Sequence, residues 1–190
     1  MKTTSWFLLS AMVVGACGGN NPPPPLDYTD PGDGKLRLIR DSSSKDKAVV
    51  LDLVVGSQPL TGYSVGFDLP VDDSKVIFTG FTAGDALSAG TAPIAATGQM
   101  PSSGPLAHEI VTAQSQKASG TGAVATDTTL QPGAVLYSFE LDLVMGAAKG
   151  PVFDGTVAGF ALPSGGMRDR SGTTVVAPAD VAIGHLEVTQ

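Results

Sequence analysis

Residues 60–81, LTGYSVGFDLPVDDSKVIFTGF, carry the densest strand pattern of the chain. From Tyr63 to Leu69 every second residue is apolar, and the residues between are small or polar, which is the period of a half-buried strand. Pro70 and the polar residues 72–74 end that strand, and a second apolar run begins at Val76. The stretch therefore predicts two short strands joined by a turn.

The same pattern recurs along the chain and predicts an all-β fold. Further strands are expected at residues 36–39, 48–55, 109–113, 135–143, 157–162, 173–176 and 180–188, whereas residues 83–106 read as long loops. About eight or nine short strands with no helical period between them predict a two-sheet antiparallel β-sandwich of jelly-roll or immunoglobulin-like architecture, with a barrel as the alternative. The expected core comprises Leu53, Tyr63, Val65, Phe67, Leu69, Phe78, Tyr137, Phe139, Leu141 and Phe160.

Composition agrees with this class and excludes one kind of partner. The 24 glycines and 14 prolines supply many turns, and charged residues make up 15% of the chain, against roughly 25% in an average globular protein. The formal net charge is −7, which repels phosphate, so we expect no nucleic-acid partner.

The N-terminal segment predicts an export signal. Lys2 gives a basic start, and residues 6–14 form an apolar run that is long enough for a signal peptide but too short to span a bilayer. The run ends in Val14, Gly15, Ala16 and Cys17, which resembles a bacterial lipobox. The alternative is an ordinary secretory signal with a chance cysteine near its end.

The lipobox resemblance implies cleavage after Ala16 and acylation of Cys17, the only cysteine, so that the chain would be held in a lipid bilayer. Gly18, rather than aspartate, follows Cys17 and favours the bacterial outer membrane, with the domain facing the periplasm or the exterior. Residues 17–34 are rich in Gly, Asn and Pro and predict a tether. The predicted organisation is a signal peptide at 1–16, a tether at 17–34 and a domain at 35–190.

Short motifs along residues 35–190 resemble, in order, those of cohesin domains. They are the turn at residues 69–76, the glycine-containing segment at 80–87, the strand at 134–141 and the closing segments at 159–162 and 169–172. The resemblance implies a β-sandwich. Dockerin-binding cohesins commonly place Asn and Asp on the outward face of the third strand, where this chain has Ser64 and Gly66, so the resemblance leaves dockerin binding open.

One motif could indicate an enzyme. Residues 62–66 match the Gly-x-Ser-x-Gly nucleophile elbow around Ser64, and Asp180 and His185 lie downstream. An elbow needs a sharp turn between a strand and a helix, whereas Ser64 lies in an alternating strand. Asp180 and His185 are five residues apart on one predicted strand, which points them to opposite faces. A serine hydrolase is therefore the least favoured interpretation.

Neither metal chemistry nor sugar stacking is indicated. His108 and His185 are the only histidines, and neither has a ligand-like neighbour at metal-binding spacing. The only tryptophan, Trp6, lies in the predicted signal peptide, and Tyr63 and Tyr137 lie on expected core faces, so no aromatic platform for polysaccharide is predicted. We expect no catalytic residues, no metal site and no cofactor.

The sequence thus predicts a lipid-anchored, non-enzymatic binding or assembly domain. The face of the third strand that carries Ser64, Gly66 and Asp68 is flat and small, which suits docking of a protein partner. A polysaccharide-binding module of the cell envelope is the alternative, and it rests on family analogy alone.

Overall fold

A computed structural model describes residues 25–88, 94–117 and 126–190; Cys17, the predicted signal peptide and most of the predicted tether lie outside them. The described residues are all-β, as predicted, and their only helix is a single 3₁₀ turn, Pro178–Asp180. None of their helical structure is long and apolar enough to cross a membrane. The strands are β1 (Leu26–Thr29), β2 (Leu36–Arg40), β3 (Ala48–Val55), β4 (Leu60–Gly62), β5 (Ser64–Pro70), β6 (Val76–Ala83), β7 (Ile94–Gln99), β8 (Glu109–Gln116), β9 (Thr128–Leu130), β10 (Val135–Leu143), β11 (Gly150–Asp154), β12 (Ser164–Arg168), β13 (Thr174–Val176), β14 (Val181–Ala182) and β15 (His185–Val188).

Two five-stranded sheets form most of the structure. The first sheet has the order β14-β2-β3-β10-β6, and the second has the order β13-β12-β5-β8-β7. All their pairings are antiparallel except β14 with β2. A third sheet, β1-β15-β11, and the antiparallel two-stranded pair β4-β9 complete the described sheets. This arrangement is consistent with a β-sandwich.

Aromatic side chains join the two large sheets across the interior. The Phe67 ring on β5 lies 6.1 Å from the Tyr137 ring and 6.4 Å from the Phe139 ring, measured between centroids, and both partners belong to β10. Because β5 and β10 are in different sheets, these contacts cross the sandwich. Such pairs add about 0.5–1.5 kcal/mol beyond the burial of their area.

The strand alternation predicted most of the core correctly. Val65, Phe67 and Leu69 are buried, and so are the predicted core residues of β3 and β10. The other three predicted core residues are half-buried; Phe78 and Phe160 pack against the buried cluster, whereas Tyr63 lies outside it, so only the prediction for Tyr63 was wrong. Phe78 lies on an edge strand and Phe160 lies in a loop, so both pack at the margin of the core. Tyr63 precedes β5, and its hydroxyl donates to the Gln116 carbonyl.

The N-terminal boundary of the domain also differs from the prediction. A tether was expected through residue 34, but Leu26–Thr29 is a strand that pairs with the C-terminal strand β15. Leu26 and Tyr28 are buried in the core. The buried Tyr28 hydroxyl donates to the Leu38 carbonyl at 2.7 Å and accepts the Gly184 N–H at 3.0 Å. A tether that ends at residue 34 is therefore wrong.

Residues 25–88, 94–117 and 126–190 form fifteen strands, rather than the eight or nine expected for the chain, and several assignments change. Strand β7 lies within residues 83–106, where loops were expected. Residues 157–162 are not a strand; β11 and β12 lie on either side of them. The strand expected at 180–188 is divided into β14 and β15.

Candidate binding face

The outer surface of the second sheet holds the three residues that the sequence singled out. Val65, Phe67 and Leu69 of β5 enter the core, so the alternate residues of that strand face outward. We call this outward surface of strands β12, β5, β8 and β7 the binding face. The face is concave, and the open hollow above it has a volume of about 630 Å³. Ser64, Gly66 and Asp68 are among the residues that line it.

A row of small side chains crosses the middle of the binding face. The cross-strand register aligns Gly166, Gly66, Ala113 and Thr97 on the four neighbouring strands. No side chain in this row is larger than threonine. The row is therefore the low floor of the concave surface, where a bound molecule can approach the sheet backbone.

Backbone geometry requires glycine at two floor positions. A Cβ atom on Gly66 would lie 2.3 Å from the Thr112 carbonyl oxygen, which is closer than any real Cβ contact. Gly166 has a φ of +104°, and a Cβ atom there would lie 2.0 Å from the Val176 carbonyl oxygen. The shallow floor thus follows from how β12, β5 and β8 pack.

The rows on either side of the floor carry hydroxyl groups and the two charges of the face. One row aligns Arg168, Ser64, Ser115 and Ala95, and the other aligns Ser164, Asp68, Val111 and Gln99. The Asp68 carboxylate accepts a hydrogen bond from the Ser164 hydroxyl, and Arg168 Nη1 donates to the Gly172 carbonyl at 3.0 Å. Among the described lining residues these are the only charged ones, so the face carries one charge of each sign.

Buried hydrogen bonds hold the sheet beneath the face. The Thr112 and Tyr137 hydroxyl oxygens lie 2.7 Å apart, which links β8 to β10 across the interior. Burial raises the pKa of Tyr137 far above its ordinary value, so its hydroxyl stays protonated. Gln114 Nε2 donates to the Gly84 carbonyl at 2.7 Å from the same side of β8. These bonds fix the strand at the centre of the binding face.

The structure does not bring the residues of the possible triad together. Ser64 lies in a strand, and its neighbours in the adjoining strands are Arg168 and Ser115. Asp180 Oδ2 instead accepts from Lys35 Nζ at 2.8 Å, and the Lys35 ammonium lowers the pKa of that carboxyl. His185 belongs to the third sheet and does not line the binding face.

Both histidines pair with carboxylates. His108 Nδ1 lies 2.8 Å from Asp73 Oδ2, and His185 Nδ1 lies 3.1 Å from Asp154 Oδ2. Hydrogen bonds from Thr156 hold the pKa of Asp154 below its ordinary value, and the His185 imidazole lowers it further. Within residues 25–88, 94–117 and 126–190, no three His, Cys, Asp or Glu side chains are arranged to hold a metal ion.

Sequence reasoning missed most of the neighbours of Ser64 and Asp68 on the face. Thr97, Ser115, Ser164 and Arg168 come from three other strands, and only the cross-strand register brings them together. Alternation within β8 identifies Ser115 as facing outward. The sequence of one strand does not reveal which residue of the neighbouring strand lies opposite it.

No protein-family model matches the sequence, and no curated protein matches it significantly.

Proposed function

We propose that this chain is a lipid-anchored, non-enzymatic lipoprotein of the bacterial cell envelope whose cohesin-like sandwich docks a protein partner on the binding face. One observation carries the proposal: four neighbouring strands present a continuous concave surface of small side chains, with Ser64, Gly66 and Asp68 near its middle. Such a surface offers area and hydrogen-bonding groups but few charges to desolvate.

The chemistry of the face favours a protein over a polysaccharide. Among the residues that the structure describes, neither Trp nor Tyr lines it, and the Phe67 ring beneath it is buried in the core. Sugar rings therefore have no aromatic surface to stack on. A protein surface can instead rest on the floor around Ala113 and exchange hydrogen bonds with the hydroxyls on either side.

The position of β1, the first described strand, is compatible with anchoring. The proposed lipid on Cys17 would be connected to the domain through β1, which pairs with β15 in the third sheet. No residue of β1 or β15 lines the binding face. An anchor attached through β1 therefore leaves the binding face open to a partner. Under the lipobox interpretation, the lipid is held in the bacterial outer membrane.

The test is capture of a partner from cell-envelope extract with matched variants. Ala113→Trp fills the floor at an exposed position, and Ile77→Trp places the same side chain on the outer side of the first sheet, where Ile77 is 52% exposed. We expect Ala113→Trp to abolish capture of a partner that wild type and Ile77→Trp both retain, with equal thermal unfolding of all three. Equal capture by both variants would contradict the proposal.

A polysaccharide remains the second candidate because the hydroxyls of Ser64, Ser115 and Ser164, with Asp68 and Arg168, can bond to sugar hydroxyls. A glycan array separates the two functions. Binding of one glycan class that Ala113→Trp removes would favour the polysaccharide, and a blank array together with a protein captured through Ala113 would favour the protein.

A further inference from the structure

Strand β7 is the edge of the second sheet and differs from the other described edges. Edge strands expose unpaired N–H and C=O groups, and proteins usually protect them by shortness, charge, proline or a bulge. Strands β13 and β14 have three and two residues, and β11 contains Pro151. The pairing of edge strand β6 with β10 is interrupted by a register shift.

None of these protections is present in β7. It has six residues, Ile94–Gln99, and contains neither proline nor a charged side chain. Its register with β8 runs without a shift from the Ile94–Gln116 pair to the Gln99–Val111 pair. Ala96, Thr97 and Gln99 are exposed. Within residues 25–88, 94–117 and 126–190, no strand pairs with the outer side of β7. In an antiparallel edge strand, every second residue directs its N–H and C=O away from the sheet, so among these residues β7 offers a regular set of main-chain partners.

The edge is continuous with the binding face. Ala95 and Thr97 of β7 line the concave surface and stand in the same rows as Ser115 and Ala113. A strand added beside β7 would extend these rows by one residue each, and its outward side chains would border the floor.

We propose that β7 receives an extended, uncharged segment of the protein partner, which adds to the second sheet through main-chain hydrogen bonds. The inference rests on the proposed function, because it names the chemistry of what reaches that face. Main-chain pairing supplies affinity, and alternate side chains of the segment meet the small residues Ala95 and Thr97.

Charge selects this occupant over a second copy of the chain. Two copies would each bring a formal net charge of −7 to the shared edge, and like charges oppose association. An uncharged segment meets no such repulsion. Strand β7 has no basic side chain that could pair with a carboxylate, so an uncharged segment also suits this edge.

The test uses a capped peptide of sequence Ser-Thr-Val-Thr-Val-Thr-Ser and the same peptide N-methylated at alternate residues. Amide shifts of the ¹⁵N-labelled full-length protein are followed by NMR during titration. We expect changes concentrated in residues 94–99, with binding weaker by about tenfold or more for the N-methylated peptide, which loses several hydrogen bonds. Thr97→Lys should weaken binding, whereas Thr174→Lys, on the edge strand β13, should not.

The outcomes distinguish this inference from the proposed function. No change at β7, or equal binding of both peptides, overturns the edge proposal, while capture that depends on Ala113 would still support the binding face. If the peptide binds β7 but the Ala113→Trp variant captures the partner normally, the proposal for β7 is supported and the proposed function is contradicted. A dimer in sedimentation that Thr97→Lys dissociates would assign the edge to a second copy and overturn the inference.

Discussion

Gly66 of β5 and Ala113 of β8 lie directly opposite each other on the floor of the binding face, yet they differ in the side chains they can accept. A Cβ atom on Gly66 would collide with the Thr112 carbonyl, whereas the Ala113 side chain is exposed. The backbone therefore requires glycine at position 66, whereas the neighbouring position 113 can carry a larger side chain. Function on this face is best tested at Ala113.

Substituting Gly66 should destabilise the fold rather than act on binding alone. Gly66→Ala forces β5 and β8 apart because its Cβ would lie 2.3 Å from backbone oxygen, and we expect a loss of roughly 1–3 kcal/mol in the free energy of unfolding. Urea denaturation measures it. The matched change Ala113→Ser should stay within about 0.5 kcal/mol of wild type. A Gly66→Ala variant as stable as Ala113→Ser would show that the strand packing is wrong.

Tyr28 should stabilise the domain through its hydroxyl. Tyr28→Phe leaves the Leu38 carbonyl and the Gly184 N–H without their buried partner, which should lower the free energy of unfolding by about 1–3 kcal/mol. Tyr63→Phe is the control, because the Tyr63 hydroxyl is only partly buried and makes one bond, to the Gln116 carbonyl. Equal stabilities of the two variants in urea would place β1 outside the domain.

Asp52 should make stability fall as pH rises. Its side chain is 9% exposed on β3, and burial raises the pKa of this carboxyl despite a 2.6 Å hydrogen bond from Ser138 Oγ. The folded state therefore holds the proton more tightly than the unfolded state, whose carboxyl has a pKa of about 3.9. The cost of ionising Asp52 develops between that value and the raised folded pKa, and it is fully present above both.

Asp52→Asn removes this titration, and its amide oxygen can still accept from Ser138. We expect the stability of the variant relative to wild type to increase between pH 4 and pH 7, as measured by urea unfolding at each pH. A difference that stays constant across this range, or that decreases, would contradict the buried environment of Asp52.

The sequence predicted the sheets best where each strand has one buried face. Residues 64–70 and 135–143 alternate cleanly because their inner side chains meet in the core. Strand β1 was missed because it is short and lies among Asp, Pro and Gly, so its pairing with β15 outweighs its local composition. Strand β7 was missed because Ala, Thr and Gly have little hydrophobic contrast.

The outward residues of the second sheet were predicted along one strand only. Ser64, Gly66 and Asp68 were identified by their outward direction on β5, but Ser115 and Thr97 join them through register, which a single sequence does not encode locally. Residues 164–168 contain Ser and two Gly and were not recognised as a strand. Phe160 suggested a strand at 157–162 instead, although its ring packs from a loop.

The lipid anchor gives a prediction that does not depend on the fold. Cys17→Ala removes the only thiol that could carry the lipid, so metabolic labelling with an alkyne fatty acid should mark wild type and not the variant. Gly19→Ala, two residues away, should keep the label. Labelled Cys17→Ala protein would show that the lipobox interpretation is wrong.

Site-specific photo-crosslinking in cells tests directly whether a protein partner docks on the outer face of the second sheet. A photoreactive amino acid replaces Ala113 in one strain and Ile77, on the outer side of the first sheet, in another. We expect a discrete protein adduct from position 113 and none from position 77. Adducts from position 77 alone, or none from position 113 in folded and membrane-localised protein, would contradict it.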